Sequence, residues 1–337
     1  MYQVLEPGTV LRERYELLGL IGQGGMGAVY KAADRRLPGR LCAVKEIWPP
    51  PGIGPEALAQ TREQFLREAS TLARLDHPNL PKVSDYFTLT PAGAAGDGAD
   101  RDYLVMDHVP GQDLDQVAQQ ARRQGHFLDP QEVLGWIDQL CQALIYLHGQ
   151  APPVLHRDVK PANVKLTPEG RIKLVDFGLV KPLDPEDPRT LTGLRGIGSL
   201  PYTPIEQYAG ELGHTDRRSD LYGLGATLYH LLTGQPPASA QDRFLDPGAL
   251  RSPREINPAI APGLERAVLA ALALHPKDRP PSVAAWHQAL VGRAAAGEAP
   301  PAPPRPDATW GQALRANWWL LLLAVAMVAL AIMVTFR

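Results

Sequence analysis

Apolar residues follow two different rhythms along the chain. Over the first hundred residues the runs are short and broken by Gly and Pro, so Tyr15–Ile21, Ala28–Ala33 and Leu41–Ile47 read as strands. One longer stretch, Pro55 to Leu75, has helical rhythm, with Phe65, Leu72 and Leu75 on one stripe and Glu68 among them. A carboxylate on such a stripe requires a counter-charge. Val83–Leu89 and Tyr103–Met106 flank a stretch rich in Gly, Ala and Asp, Pro91 to Asp100, which predicts a hairpin with a long loop. Beyond Pro110 the rhythm becomes helical. Val133, Ile137, Leu140, Cys141, Leu144 and Leu147 recur at helical spacing, as do Leu221, Leu224, Leu228 and Leu231 up to Gly234. A strand-rich half followed by a helix-rich half predicts an α+β chain of two lobes with a cleft between them.

The end of the chain has a third character. Residues 296–309 are rich in Pro and Ala and predict an extended linker. Trp318 to Phe336 is 19 residues in which only Thr335 is not apolar. At about 1.5 Å per residue this spans roughly 28 Å, close to the hydrocarbon thickness of a bilayer. A single transmembrane helix over 318–336 is expected, with Trp318, Trp319 and Phe336 at its interfaces. Arg305 and Arg315 precede the span and Arg337 follows it, which predicts a cell-membrane protein with its N-terminal bulk in the cytoplasm and no external domain. The N-terminus has no basic region followed by an apolar run, so no signal peptide is expected.

Composition narrows the function classes. Lys and Arg number 34 against 36 Asp and Glu, a formal charge of -2, which excludes the strongly basic profile of a nucleic-acid binder. The two cysteines, Cys42 and Cys141, lie far apart and lack metal-ligand spacing, so two reduced core thiols are expected.

Three groups of residues carry chemistry. Gly22, Gly24 and Gly27 stand in a G-x-G-x-x-G-x-V pattern that ends on Val29. Glycines let a tight hairpin bring backbone N–H groups to phosphate oxygens. A dinucleotide fingerprint would start a helix at the last glycine, whereas Ala28 to Ala32 continue as strand. Ala43 and Lys45 then share one strand face, which would look into the cleft. The decisive block is His156-Arg157-Asp158-Val159-Lys160-Pro161-Ala162-Asn163, followed by Asp176-Phe177-Gly178. Phosphoryl transfer needs a base to orient a hydroxyl, a cation near the γ-phosphate, and oxygen ligands for a divalent ion. Asp158, Lys160, Asn163 and Asp176 are that set.

These motifs resemble those of the protein-kinase superfamily over residues 10 to 291, most nearly the bacterial, eukaryotic-like Ser/Thr kinases with a membrane helix. The resemblance implies a five-stranded sheet with one helix (about 10–109) over a helical lobe (about 110–291), then a linker (292–317) and the span. It implies that Gly22, Gly24 and Gly27 cover the phosphates and that Lys45 holds them while paired with Glu68. Asp158 would orient the substrate hydroxyl, Lys160 would stabilise the transferring group, and Asn163 and Asp176 would bind Mg²⁺, with Mn²⁺ as an alternative. Ile21, Val29, Ala43, Met106, Asp107 and Val109 would surround the adenine of ATP, and the neighbourhood of Gln112 and Asp113 would reach the ribose. Asp220 matches the residue that braces the catalytic loop, and Glu206 and Arg279 match the pair that closes the activation segment. Leu72, Val83, His156 and Phe177 match a spine between the lobes. The Asp-x-Lys-Pro-x-Asn form from Asp158 to Asn163 implies Ser or Thr acceptors, with Ser199 against the catalytic Asp where these kinases usually have Thr.

Pro201 and Pro204 around Tyr202, and Pro204-Ile205-Glu206 in place of Ala-Pro-Glu, depart from the family pattern on the peptide side. Arg157 before the catalytic Asp implies a switch by a phosphate on Thr190 or Thr192, added in trans within a transient homodimer. Protein substrates are the expected partners and no nucleic acid is. A nucleotide-binding pseudokinase scaffold is the alternative, but it would normally lose Lys45, Asp158 or Asp176. A small-molecule phosphotransferase would lack the Glu206 and Arg279 match.

Overall fold

The computed structural model describes residues 4–24, 27–48, 53–89, 100–176, 197–208 and 215–296, apart from the side chains of residues 197–199 and some of those in the first and last helices. Residues 1–297 form one compact unit. Its first sheet has six antiparallel strands: β1 (Val10–Leu11), β2 (Tyr15–Gly24), β3 (Gly27–Asp34), β4 (Leu41–Ile47), β5 (Val83–Leu89) and β6 (Arg101–Asp107), in the order β1-β2-β3-β4-β6-β5. The expected count of five is thereby corrected. The extra strand, β1, is two residues long, too short for an alternating pattern to register.

Alternation sends neighbouring residues to opposite faces. Tyr30, Ala32, Cys42, Val44, Tyr103 and Val105 form an outer core with Tyr15, Leu17 and Phe87. Within it Glu46, fully buried, pairs with Arg101 at 2.7 Å and accepts from the Tyr30 and Tyr103 hydroxyls. The other face sends Ala43, Ile47, Leu104 and Met106 into the main core. There α1 (Pro55–Ala73) adds Phe65, Ala69 and Leu72. This helix stops two residues before the expected Leu75, which is still buried. Strands β5 and β6 pair as the expected hairpin, and most of its loop, residues 90–99, lies outside the described residues.

The second half carries α2 (Leu114–Arg123), α3 (Pro130–His148), α4 (Arg217–Thr233), α5 (Ala240–Leu245), α6 (Pro253–Ile256), α7 (Pro262–Ala271) and α8 (Val283–Ala296). It also holds a small sheet the helical rhythm hid, β7 (Gln112–Asp113), β8 (Val164–Leu166) and β9 (Ile172–Leu174). Helix α4 is the axis of this half, with every residue from Ser219 to Thr233 buried. Asp216 caps its start and Gly234, at φ 69°, ends it. Cys42 and Cys141 are buried free thiols.

Among the described residues no helix is long and apolar enough to cross a membrane. The expected span, 318–336, and the linker beyond residue 296 lie outside the described residues.

Candidate active site

The site begins where α3 ends. Buried His156 opens the loop, and Arg157 follows in left-handed backbone, φ 64°. Such a conformation costs a non-glycine residue of the order of 1 kcal/mol or more and persists only where its surroundings impose it. Asp220 on α4 imposes it here. Its two carboxylate oxygens accept the backbone N–H groups of His156 and Arg157, at 2.9 and 2.7 Å. The oxygen that serves His156 also takes Nε2 of His148, at 2.8 Å, from the last turn of α3. Burial pushes the Asp220 carboxyl up, but the hydrogen bonds from His148 and the His156 backbone, with the electrostatics of the two imidazoles, outweigh it, and the net position is below the usual carboxylate range.

The loop next bends through a 3₁₀ turn, Pro161–Asn163, into β8. The bend brings both Lys160 Nζ and Asn163 Nδ2 to Asp158 Oδ2, each at 2.9 Å. Asn163 Nδ2 also donates to the Asp158 carbonyl, at 2.8 Å. Among the described residues Asp158 Oδ1 takes no donor.

Asp176 is tied to this loop through its neighbour. Val175 donates its N–H to the Asn163 carbonyl at 2.8 Å, and its own carbonyl lies 3.1 Å from His156 Nε2. That contact, with the Asp158 N–H 3.4 Å from Nδ1, selects the tautomer protonated at Nε2. Burial keeps His156 neutral, its pKa below the ordinary value. Asp176 is itself left-handed, φ 57°, and meets Lys45 Nζ at 3.0 Å across the cleft. The Lys45 charge holds the Asp176 carboxyl below its usual range, against burial.

The roof of the cleft is the β2–β3 hairpin, in which Gly22 opposes Val29 and Gly24 opposes Gly27. A Cβ on Gly27 would run into the Glu46 carbonyl, so no side chain fits against β4 there. Ala43, Val29 and Met106 face the main core, Val109 is half-buried, and Ile21 is 46% exposed at the strand end. The Asp107 carboxylate turns toward Arg40, at 3.6 Å, and the Lys82 N–H. Asp113 does not stand free for a ribose: its side chain caps α2 through Gln116 N and lies 3.4 Å from Lys165.

Below the cleft the segment that follows the activation loop is fixed to the helical half. Glu206 and Arg279 form a buried bidentate pair, at 2.7 and 2.9 Å, and Ser219 also donates to Glu206. Tyr202, in the 3₁₀ turn Ile197–Tyr202, bonds His230 Nδ1 at 2.7 Å. Gln207 reaches the Arg157 carbonyl at 3.5 Å.

Lys45, Asp158, Lys160, Asn163, Asp176 and Asp220 thus converge from strand, loop and helix. Glu68 lies on α1, but its side chain, that of Ser199, and Phe177, Thr190 and Thr192 lie outside the described residues. Sequence reasoning passed over His148 and His230. A histidine in the last turn of an apolar helix was the only available signal for either.

The donor set fits a divalent ion. Asn163 spends its amide nitrogen on Asp158, leaving the amide oxygen, and Asp176 supplies a carboxylate. Two hard oxygens suit an ion that keeps waters and substrate phosphates as its other ligands. Among the described residues no three His, Cys, Asp or Glu side chains form a self-sufficient metal cage.

A β-rich lobe over a helical lobe, with a lysine and an aspartate facing across the cleft above a braced Asp–Lys–Asn loop, defines the kinase class of phosphotransferase folds. The family model described as the protein kinase domain matches residues 15–255, and the chain belongs to that family. Serine/threonine-protein kinase PknA of Mycobacterium tuberculosis is 35% identical over 305 residues, which cover 88% of this chain and 64% of that protein. A probable serine/threonine-protein kinase of Corynebacterium efficiens is 34% identical over 284 residues, covering 80% and 40%. The chain therefore spans from 40% to 64% of the length of these relatives. Among solved structures, the PknI kinase domain of Mycobacterium tuberculosis is similar at a TM-score of 0.65 and 30% identity, covering 87% of this chain and 100% of that one. The apo form of PpkA-294 is similar at 0.65 and 26% identity, covering 85% and 99%.

Proposed function

We propose that the chain is a protein serine/threonine kinase that transfers the γ-phosphoryl group of ATP to Ser or Thr hydroxyls of protein substrates. The observation that carries this reading is the Asp158 carboxylate, with Oδ2 held by Lys160 and Asn163 and Oδ1 taking no donor among the described residues. In this reading Asp158 accepts the hydrogen bond of the acceptor hydroxyl and takes its proton as the oxygen bonds to the γ-phosphorus and the bond from that phosphorus to the β-phosphate oxygen breaks, releasing ADP. Lys160 lies beside the developing charge, and Lys45 leaves Asp176 for the α- and β-phosphates, its pairing with Glu68 setting its direction. Gly22, Gly24 and Gly27 let backbone N–H groups approach the phosphates, while Ile21, Val29, Ala43, Met106, Asp107 and Val109 line the adenine pocket. Asn163 and Asp176 would hold Mg²⁺, or Mn²⁺ in its place, which neutralises phosphate charge when bound.

Activation is proposed to follow phosphorylation of Thr190 or Thr192 in trans, the phosphate pairing with Arg157. The division into a kinase domain over 10–291, a linker and a membrane span over 318–336 with the domain on the cytoplasmic side is proposed from the apolar run and its flanking arginines.

The test is to incubate the full chain in detergent with γ-labelled ATP and Mg²⁺, beside Asp158→Asn. Loss of a general base costs about 10²–10⁴ in rate. The parent is expected to incorporate label on Thr190 or Thr192 and the variant to lose it by that factor. Equal labelling of both would remove Asp158 from the mechanism, and ATP binding without labelling in the parent would favour a pseudokinase.

A further inference from the structure

The first two residues of β6 send buried charges to opposite faces of the sheet. Arg101 turns outward to Glu46, whereas Asp102 turns to the face that α1 covers. Asp102 is only 8% exposed. Its Oδ1 accepts from the Tyr86 hydroxyl at 2.9 Å and from Thr88 Oγ1 at 2.6 Å, both on β5, with Thr88 directly across the ladder. Its Oδ2 lies 3.6 Å from Arg62 Nε on α1, an ion-pair contact longer than a hydrogen bond, and among the described residues that buried Nε has no hydrogen-bond partner. The same guanidinium donates to the Asp100 carbonyl at 2.9 Å and lies 3.6 Å from the Asp100 carboxylate. Tyr86 serves twice, because its ring also packs on Phe65 of α1 with centroids 5.3 Å apart.

Among the described residues the buried part of α1 is otherwise apolar, with Phe65, Ala69 and Leu72 in the same core cluster as Leu104 and Met106. Apolar burial is non-directional, so packed helices slide and roll on one another at small cost. A half-buried charge pair resists this, because moving the guanidinium away leaves the Asp102 carboxylate, itself largely buried, with only its Tyr86 and Thr88 partners. Asp102 stands across the ladder from Ile47, in the row that includes Leu104 opposite Lys45. Arg62 precedes Glu68 on the same helix by about 9 Å of axial rise.

We propose that Arg62 and Asp102 form a clasp that sets the seat of α1 on the sheet, and with it the delivery of Glu68 toward Lys45. Tyr86 and Thr88 hold the carboxylate side of the clasp in its rotamer. Both charged residues are positioning residues, and neither touches the reacting groups. The seating of α1 stands on the geometry alone, while its consequence for Lys45 rests on the phosphotransfer reading.

The experiment places nitroxide labels at Arg67→Cys on α1 and Leu37→Cys on the sheet side of the full chain. Both side chains are open to solvent, and native Cys42 and Cys141 are buried. Pulsed electron resonance then reads the distance distribution in the parent, Arg62→Met, Arg62→Lys and Asp102→Asn. Asp102→Asn keeps the shape and still accepts from Tyr86 and Thr88. A narrow distribution is expected in the parent, a broad or shifted one in Arg62→Met and Asp102→Asn, and partial recovery in Arg62→Lys. The kcat for protein substrate is expected to fall about tenfold or more in the two charge-removing variants, with the double variant no worse than either.

An unchanged distribution overturns the proposal, even if the melting temperature drops, because the pair would then only stabilise. A broadened distribution with parental kcat keeps the seating and overturns its link to Glu68. Parental activity in Lys45→Met would instead overturn the phosphotransfer reading and leave the clasp standing.

Discussion

His230 shows what burial does to a single titratable group. It is 5% exposed, accepts the Tyr202 hydroxyl at Nδ1, and has Asp115 3.9 Å away and Arg122 nearby. Burial, and to a smaller extent Arg122, pull its pKa down from the ordinary 6.5 to about 4. Above pH 6.5 the group is neutral in the folded and the unfolded chain and contributes no pH dependence. Between 6.5 and about 4 only the unfolded chain takes up the proton, so stability falls as the pH falls, by on the order of 3 kcal/mol in all, and levels off below. Melting curves at pH 7.5 and 5 should therefore lie further apart for the parent than for His230→Gln, whose amide can still accept from Tyr202. Equal separation in both would mean that another group, such as buried His156, carries the acid sensitivity.

At the scale of elements, α4 governs the site. It presents Asp220 to the loop backbone and Ser219 to Glu206 from adjacent positions. It can do so because Gly223 lets it lie against the loop: a Cβ there would stand 2.7 Å from the Val159 carbonyl and 3.1 Å from Val159 Cβ. Alanine is the better helix former by about 1 kcal/mol, yet Gly223→Ala must push helix and loop apart. Overpacking of this kind costs about 1–3 kcal/mol. Because Val159 adjoins Asp158, a fall in kcat is expected alongside the lower melting temperature. A variant more stable than the parent would show that the helix has room to move.

The outer core behind β4 contributes differently. The buried Glu46–Arg101 pair gives the strand that carries Lys45 a polar anchor on its reverse side, so that strand is gripped on both faces. Alternation predicted which residues share the Lys45 face, since period-two patterns survive in a short strand. The same rule could not tell that Glu46 is buried, because a glutamate on the opposite face reads as solvated until its partner is known.

On the scale of the whole molecule, residues 1–297 form a compact unit of their own. A chain that ends at residue 297 should keep the melting temperature and the ATP affinity of the full chain, measured in the same detergent. The full chain should sediment with membranes and the shortened one should not. If the shortened chain still sediments with membranes, residues 318–336 are not the anchor. If it loses ATP binding, the tail takes part in the site.

Although β1 and the β7–β9 sheet escaped it, the sequence alone determined most of the order of strand and helix, the two halves, and where the His156–Asn163 block and Asp176 stand in the chain. These are properties of patterns within about twenty residues, where backbone geometry and side-chain type act directly. Tertiary structure decided how those groups meet, including the Glu206–Arg279 pair and the Asp220 brace that only the family resemblance had implied. Lys45 reaches Asp176 across 131 residues, Arg279 reaches Glu206 across 73, and Asp220 takes the His156 N–H across 64. It also decided that His148 shares Asp220, that Asp113 spends its carboxylate on a helix cap, and that Asp102 waits for Arg62. Each of these depends on a charge or hydrogen-bonding group finding its partner only after the apolar core has closed, and no local pattern records that distance.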